Sequence, residues 1–121
     1  MNMSYYREIA QSDPTLALAG LRIEIETLAN NLATGFQLEP KRAEPVTSLL
    51  RRLRERNAIT SEQMELARRI LSICNKAIHG QTVTQEEASH VIETADVLAR
   101  DFLAWLGWGF GDNWKPKGAG V

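Results

Sequence analysis

The chain has 121 residues, 44% of them apolar and 24% charged, with a formal net charge of −1. This length suits one domain that buries a core without disulfides or metal, and the balanced charge excludes a global pull toward nucleic acid or a membrane surface. The single cysteine, Cys74, excludes an internal disulfide and fits a reducing, cytoplasmic setting.

Residues 1–12 carry no basic start followed by an apolar run, so no signal peptide is expected. They read as a lead-in in which Tyr5, Tyr6 and Ile9 make one helical turn against the body. A first helix opens at Asp13-Pro14, a side-chain cap followed by a proline suited to the first helical position. Ala17, Leu18, Leu21, Ile25, Leu28, Ala29 and Leu32 follow at helix spacing. Leu16 and Ile23 widen that stripe, which predicts cover on more than one side, and Gly35 is the expected stop.

Residues 36–44 form a connection. A second helix runs from near Glu44-Pro45 to near Asn57, with Val46, Leu49, Leu50 and Leu53 inward. The third begins at Thr60, three residues before Gln63, with Ile59 and Met64 placed as a hydrophobic staple. Its inward stripe is Met64, Ala67, Ile70, Leu71, Cys74, Ala77 and Ile78, and Gly80 ends it. A fourth begins with Thr84 and Glu87, buries Ala88, Val91, Ile92, Ala95, Leu98, Ala99, Phe102, Trp105 and Leu106, and stops at Gly107.

The prediction is therefore all-α: an up-down four-helix bundle over 13–107, a lead-in at 1–12 and an aromatic, partly disordered tail at 108–121. No apolar run approaches ~18 residues, so no membrane span is expected.

The segment Asn75-Lys76-Ala77-Ile78-His79-Gly80 holds the main candidate for chemistry. Asn75 and His79 share a helix face, which Ser72 and Arg68 extend backwards into a polar stripe. A histidine in a last turn suits acid–base work or phosphate binding. The alternative is structural: Asn75 and His79 tie down the loop after Gly80 or a neighbouring helix.

At these residues the chain resembles the HEPN superfamily of helical nucleotide-binding domains, in particular its small bacterial branches. Three features carry the resemblance between Asp13 and Leu106: the opening Asp13-Pro14-Thr15-Leu16-Ala17-Leu18, the Asn75-x-x-x-His79-Gly80 ending, and the capped final helix at Thr84-Gln85-Glu86-Glu87-Ala88. In catalytic members an arginine precedes the histidine by four to six residues and a polar residue follows it. The resemblance thus assigns His79 and Asn75 but places the arginine on Cys74, with Ile73 and Ser72 at the longer spacings. A neutral thiol supplies neither permanent charge nor a bidentate fork. The resemblance implies the fold more than the reaction.

The remaining candidates are softer. Lys41, Arg42, Arg51, Arg52, Arg54, Arg56, Arg68 and Arg69 form a basic cluster, but Glu44, Glu55, Glu62 and Glu65 interleave with it, which favours a solvated face over an RNA contact. Leu66 and Ile73 widen the third helix's apolar arc, implying a helix buried on two sides or a homodimer face; HEPN-like domains commonly pair near this helix. Trp108 and Trp114, with Phe110, serve either as binding residues or as a cap on one end of the bundle. His90 lies opposite its helix's stripe as surface filler, and Cys74 is a core thiol. Two histidines and one cysteine are too few and scattered for a metal site, and no cofactor motif is present.

Three functions follow as expectations. The first is a non-catalytic interaction or regulatory protein that pairs with itself or binds a larger protein. Such HEPN-like domains resemble parts of bacterial defence and mobile-element systems, so a bacterial cytoplasmic setting is expected. The second is a ribonuclease or nucleotide-binding module that uses His79 and Asn75 with Arg42, Arg68 or Arg69 from another helix or subunit. The third is a small-ligand protein with a pocket near Trp105 and Cys74.

Overall fold

The computed structural model describes residues 3–39 and 41–109, with backbone only for 101–109. Among the described residues there are five helices and no strand: α1 (Met3–Ser12), α2 (Pro14–Gly35), α3 (Val46–Glu55), α4 (Ser61–Ile78) and α5 (Gln85–Gly109). The chain is all-helical, with one helix more than the expected four. The lead-in is ten residues of helix rather than a single turn.

That extra helix is held by tertiary contacts. Met3, Tyr6 and Ala10 are buried, and α1 packs on α2 and α5. The Tyr6 hydroxyl donates to Glu24 Oε1 at 3.0 Å. Arg7 forks onto Glu93 and Asp96 of α5, at 2.6 and 2.8 Å.

The helix starts follow the sequence. Leu16 N–H donates to the Asp13 carboxylate at 3.0 Å, with Pro14 in the first turn. At α4 the capping box is complete: Gln63 N–H donates to Thr60 Oγ1 (3.1 Å) and Thr60 N–H to Gln63 Oε1 (2.9 Å). Ile59 is buried and Met64 packs on the core, as a staple requires. Thr84 and Glu87 repeat the exchange before α5.

The helix ends follow a different rule. Three helices close through the same pair of backbone bonds, in which the second residue past the cap donates five positions back and the first donates three positions back, inside that loop. After α2 these are Leu38 N–H to Ala33 and Gln37 N–H to Thr34; after α3, Ala58 to Leu53 and Asn57 to Arg54; after α4, Gln81 to Lys76 and Gly80 to Ala77. The left-handed residue is Gln37 (φ 59°), Asn57 (φ 59°) and Gly80 (φ 76°) in turn. α2 ends at Gly35 as expected, but Gly35 is not the left-handed residue: that step falls two positions later on Gln37, and Leu38 returns to the core, where it is buried.

α2 packs on α1, α3, α4 and α5 and forms the centre of the domain. Leu18, Leu21, Ile25 and Leu32 of α2 meet Leu50, Leu53, Ile70, Leu71, Cys74, Ile92 and Leu98, all fully buried. Truncating one such leucine to alanine costs about 2–5 kcal/mol.

Three apolar positions depart from expectation. Leu16 is 57% exposed and Ile23 64%, so the widened stripe of α2 is not covered. Ile78 is 46% exposed, because α4 ends there and no later turn shields it. α5 continues through Gly107 to Gly109, and the side chains of Phe102, Trp105 and Leu106 lie outside the described residues.

Candidate functional site

His79 is the C-cap of α4, its N–H donating to Asn75 O at 2.9 Å, and its ring is exposed beside the Gly80 turn. Asn75 is half-buried one turn back. Among the described residues neither side chain makes a hydrogen bond or ion pair, so the pair neither ties down the following loop nor meets a cation. Arg68 leans on Glu65 at 3.6 Å, a loose surface pair.

Cys74, at the position where the HEPN arginine falls, is fully buried. Burial pushes its thiol up to about 12, against the pull of the Arg22 guanidinium from α2. Arg22 is a cation that sequence reasoning missed. It lies on a helix far from the motif in sequence, and only the packing of α2 on α4 brings it near Cys74. Arg22 Nη1 meets Glu26 at 2.9 Å, while its Nε is buried without an acceptor among the described residues.

The expected basic cluster disperses. Arg52 pairs with the Glu44 carboxylate at 2.7 Å and donates to Glu39 O; Arg54 is held by Ser61 and Asn57. Glu44 also accepts from the Lys41 N–H and the Ser48 hydroxyl, and these bonds, the Lys41 N–H first, hold its carboxyl below the usual range. This network pins the connection ahead of α3 and takes Arg52 out of the cluster, while Arg51 and Arg56 stand exposed.

The structure opens instead between α4 and α5. A groove of about 340 Å³ is floored by Leu66, Ile70, Ile73 and Val91, with Arg69, Ser72, His90 and Thr94 on its walls. A second hollow of about 220 Å³ shares Leu66 and Arg69 with it and adds Glu62 and Glu65. The short connection between α4 and α5 makes the two helices antiparallel neighbours, with Ile73 and His90 both lining the groove; Val97, three residues past Thr94 on α5, is 57% exposed. Leu66 and Ile73, whose excess over a single packing stripe is visible in the sequence, are half-exposed here rather than buried on two sides. His90 is exposed, as expected of a surface position, and lines the groove. Ser72, on the same helix face as Asn75 and His79, also lines this groove.

The tryptophan candidates fall outside the described side chains. Trp108 lies in the backbone-only stretch of α5, and Trp114 lies outside the described residues. Among the described residues no group of three or more His, Cys, Asp or Glu side chains is placed to hold a metal ion, and no helix is long and apolar enough to cross a membrane.

No curated protein matches the chain, and no solved structure does. A family model does match: that of a domain of unknown function, DUF4145, over residues 5–102. This span takes in α1 to the described side chains of α5, including the groove and the Asn75–His79 turn, and the chain belongs to the DUF4145 family.

Proposed function

We propose that this protein is a non-catalytic association module that works by seating another protein chain against the open α4–α5 face. The observation that carries this reading is the groove itself: a concave, apolar floor of Leu66, Ile70, Ile73 and Val91 with charged and hydroxyl side chains at its edge. Such a layout, apolar at the centre and polar at the rim, is that of protein interfaces. His79 supports it by contrast, since an exposed imidazole without a cation or orienting partner is poorly set for acid–base work.

The test places a photoreactive benzoylphenylalanine at Val97 in cells that make the protein. Illumination is expected to give a covalent adduct of one discrete mass, reduced when Ile73 is replaced by glutamate. No adduct, or a smear unaffected by Ile73→Glu, overturns the reading.

A second reading, an RNA-cleaving module of HEPN type, draws on one observation: Arg22 stands close enough to Cys74 to act on its thiol, and so offers a guanidinium near the place the motif leaves empty. Against it, Arg22 is engaged by Glu26. Incubation of the wild-type chain, Arg22→Ala and His79→Ala with single-stranded RNA separates the two. Association predicts equal, background cleavage in all three; loss of cleavage in both variants would select the second reading.

A further inference from the structure

We infer that the Glu62–Leu66 end of the α4–α5 face seats this chain's own C-terminal segment, Asp112–Lys117, which a partner has to displace. The inference rests on the association reading above and adds its regulation.

Position and reach carry the first half. The connection from α4 to α5 is short and the two helices pack antiparallel, so the start of α4 lies toward the end of α5. Thr94 is the last of the described residues that line the groove, and α5 runs fifteen residues past it to Gly109, about 22 Å of helix. The eight residues 110–117, outside the described residues, span up to about 27 Å when extended. A chain that turns back after Gly109 therefore covers the whole distance to Thr94. It meets the hollow of Glu62, Glu65, Leu66 and Arg69 before it meets the groove. Gly111 supplies the backbone freedom for that reversal.

Charge and apolar order carry the second half. The hollow holds two glutamates against one arginine. Glu65 reaches only Arg68, at 3.6 Å, and Glu62 has no ion pair among the described residues. The segment brings two lysines against one aspartate. Pro116 favours an extended course, in which Trp114 and Pro116 fall on one side and Lys115 and Lys117 on the other. By helix rotation Leu66 lies on the α5 side of both acids. One pose thus sets Trp114 over Leu66 and both ammonium groups over the acids. An aromatic anchor in an apolar hollow with opposite charges at its edge is the layout that carries peptide contacts.

The experiment is methyl-resolved NMR on the purified, dilute full chain, with the Val97 photoprobe in cells as its second arm. The variants are Trp114→Ala, Lys115→Glu/Lys117→Glu, and the latter combined with Glu62→Lys/Glu65→Lys; circular dichroism verifies that each folds. The wild-type Leu66 methyls are expected to carry an indole ring-current shift. Trp114→Ala removes it, Lys115→Glu/Lys117→Glu reduces it and the fourfold charge swap restores it, with Leu16 unmoved throughout. In cells the Val97 adduct is expected to rise in Trp114→Ala: a segment docked about nine-tenths of the time leaves about a tenth of the face open, so its release raises the yield up to about tenfold. Leu66 signals identical in wild type and Trp114→Ala would overturn the inference. So would a Leu66 shift that grows with concentration, which marks the segment of another copy. An adduct of equal yield in wild type and Trp114→Ala overturns the displacement while leaving association standing. The expected Leu66 shifts with no adduct in any chain remove the association reading and leave the segment's seat in place.

Discussion

The ring of Tyr6 occupies the space a side chain at Gly20 would need: a Cβ on Gly20 would stand 2.9 Å from Tyr6 Cε1. Glycine inside a helix costs roughly 1 kcal/mol relative to alanine, so the contact holds α1 to α2 at the expense of local helix stability. Tyr6 is buried and packed, and its hydroxyl is held by Glu24, so it cannot swing away freely. Gly20→Ala is therefore expected to destabilise by about 1–2 kcal/mol through overpacking. In a Tyr6→Ala background the same change is expected to stabilise by roughly 1 kcal/mol. Urea unfolding of the four chains in this cycle checks it, and the same sign in both backgrounds would refute the contact.

Tyr6 also sets an alkaline limit. Burial first, then the hydrogen bond to Glu24 and its charge, push the phenol up to about 12 from 10.0. The folded state thus keeps a proton that the unfolded chain gives up. The stabilisation is complete below pH 10 and is lost as pH rises from about 10 through about 12. Cys74, pushed up to about 12 from 9.0 by burial, adds a loss of the same sign that begins near pH 9. Unfolding midpoints measured from pH 8 to 11.5 should fall more gently in Tyr6→Phe than in wild type. Parallel curves would remove Tyr6 as a contributor.

Gln37 carries a left-handed backbone without being glycine, at an exposed position. That conformation costs an L-residue about 1–2 kcal/mol, which glycine avoids in part because it loses more freedom on folding. Gln37→Gly should raise stability by roughly 0.5–1 kcal/mol. A lower thermal midpoint for this variant would place the end of α2 elsewhere.

These three sites also mark what the sequence makes legible. Helix starts at Asp13, Thr60 and Thr84 are local events between a side chain and a backbone N–H three residues on, and they are visible in the chain. The full length of α1 is not, since its apolar residues Met3, Tyr5, Tyr6, Ile9 and Ala10 make a short stripe and its fixtures are Glu24, Glu93 and Asp96, distant in sequence. The end of α2 at Gly35 is legible, whereas the left-handed step at Gln37 is not, because it depends on the burial of Leu38. At the candidate site, the surplus of Leu66 and Ile73 is readable from helix periodicity alone. The contribution of His90, Thr94 and Val97 requires α5 to lie alongside, and the approach of Arg22 to Cys74 requires the α2–α4 packing.

The central claim is that the α4–α5 face, and not the exposed α2 ridge of Leu16 and Ile23, receives another chain. Methyl-resolved NMR of the isotopically labelled full chain inside the cells that make it, compared with the purified chain, tests it most directly. The account predicts that the Leu66, Ile73 and Val97 methyl signals shift or broaden together in the cell while those of Leu16 and Ile23 stay fixed. Shifts confined to Leu16 and Ile23, or none at any of the five, would contradict it.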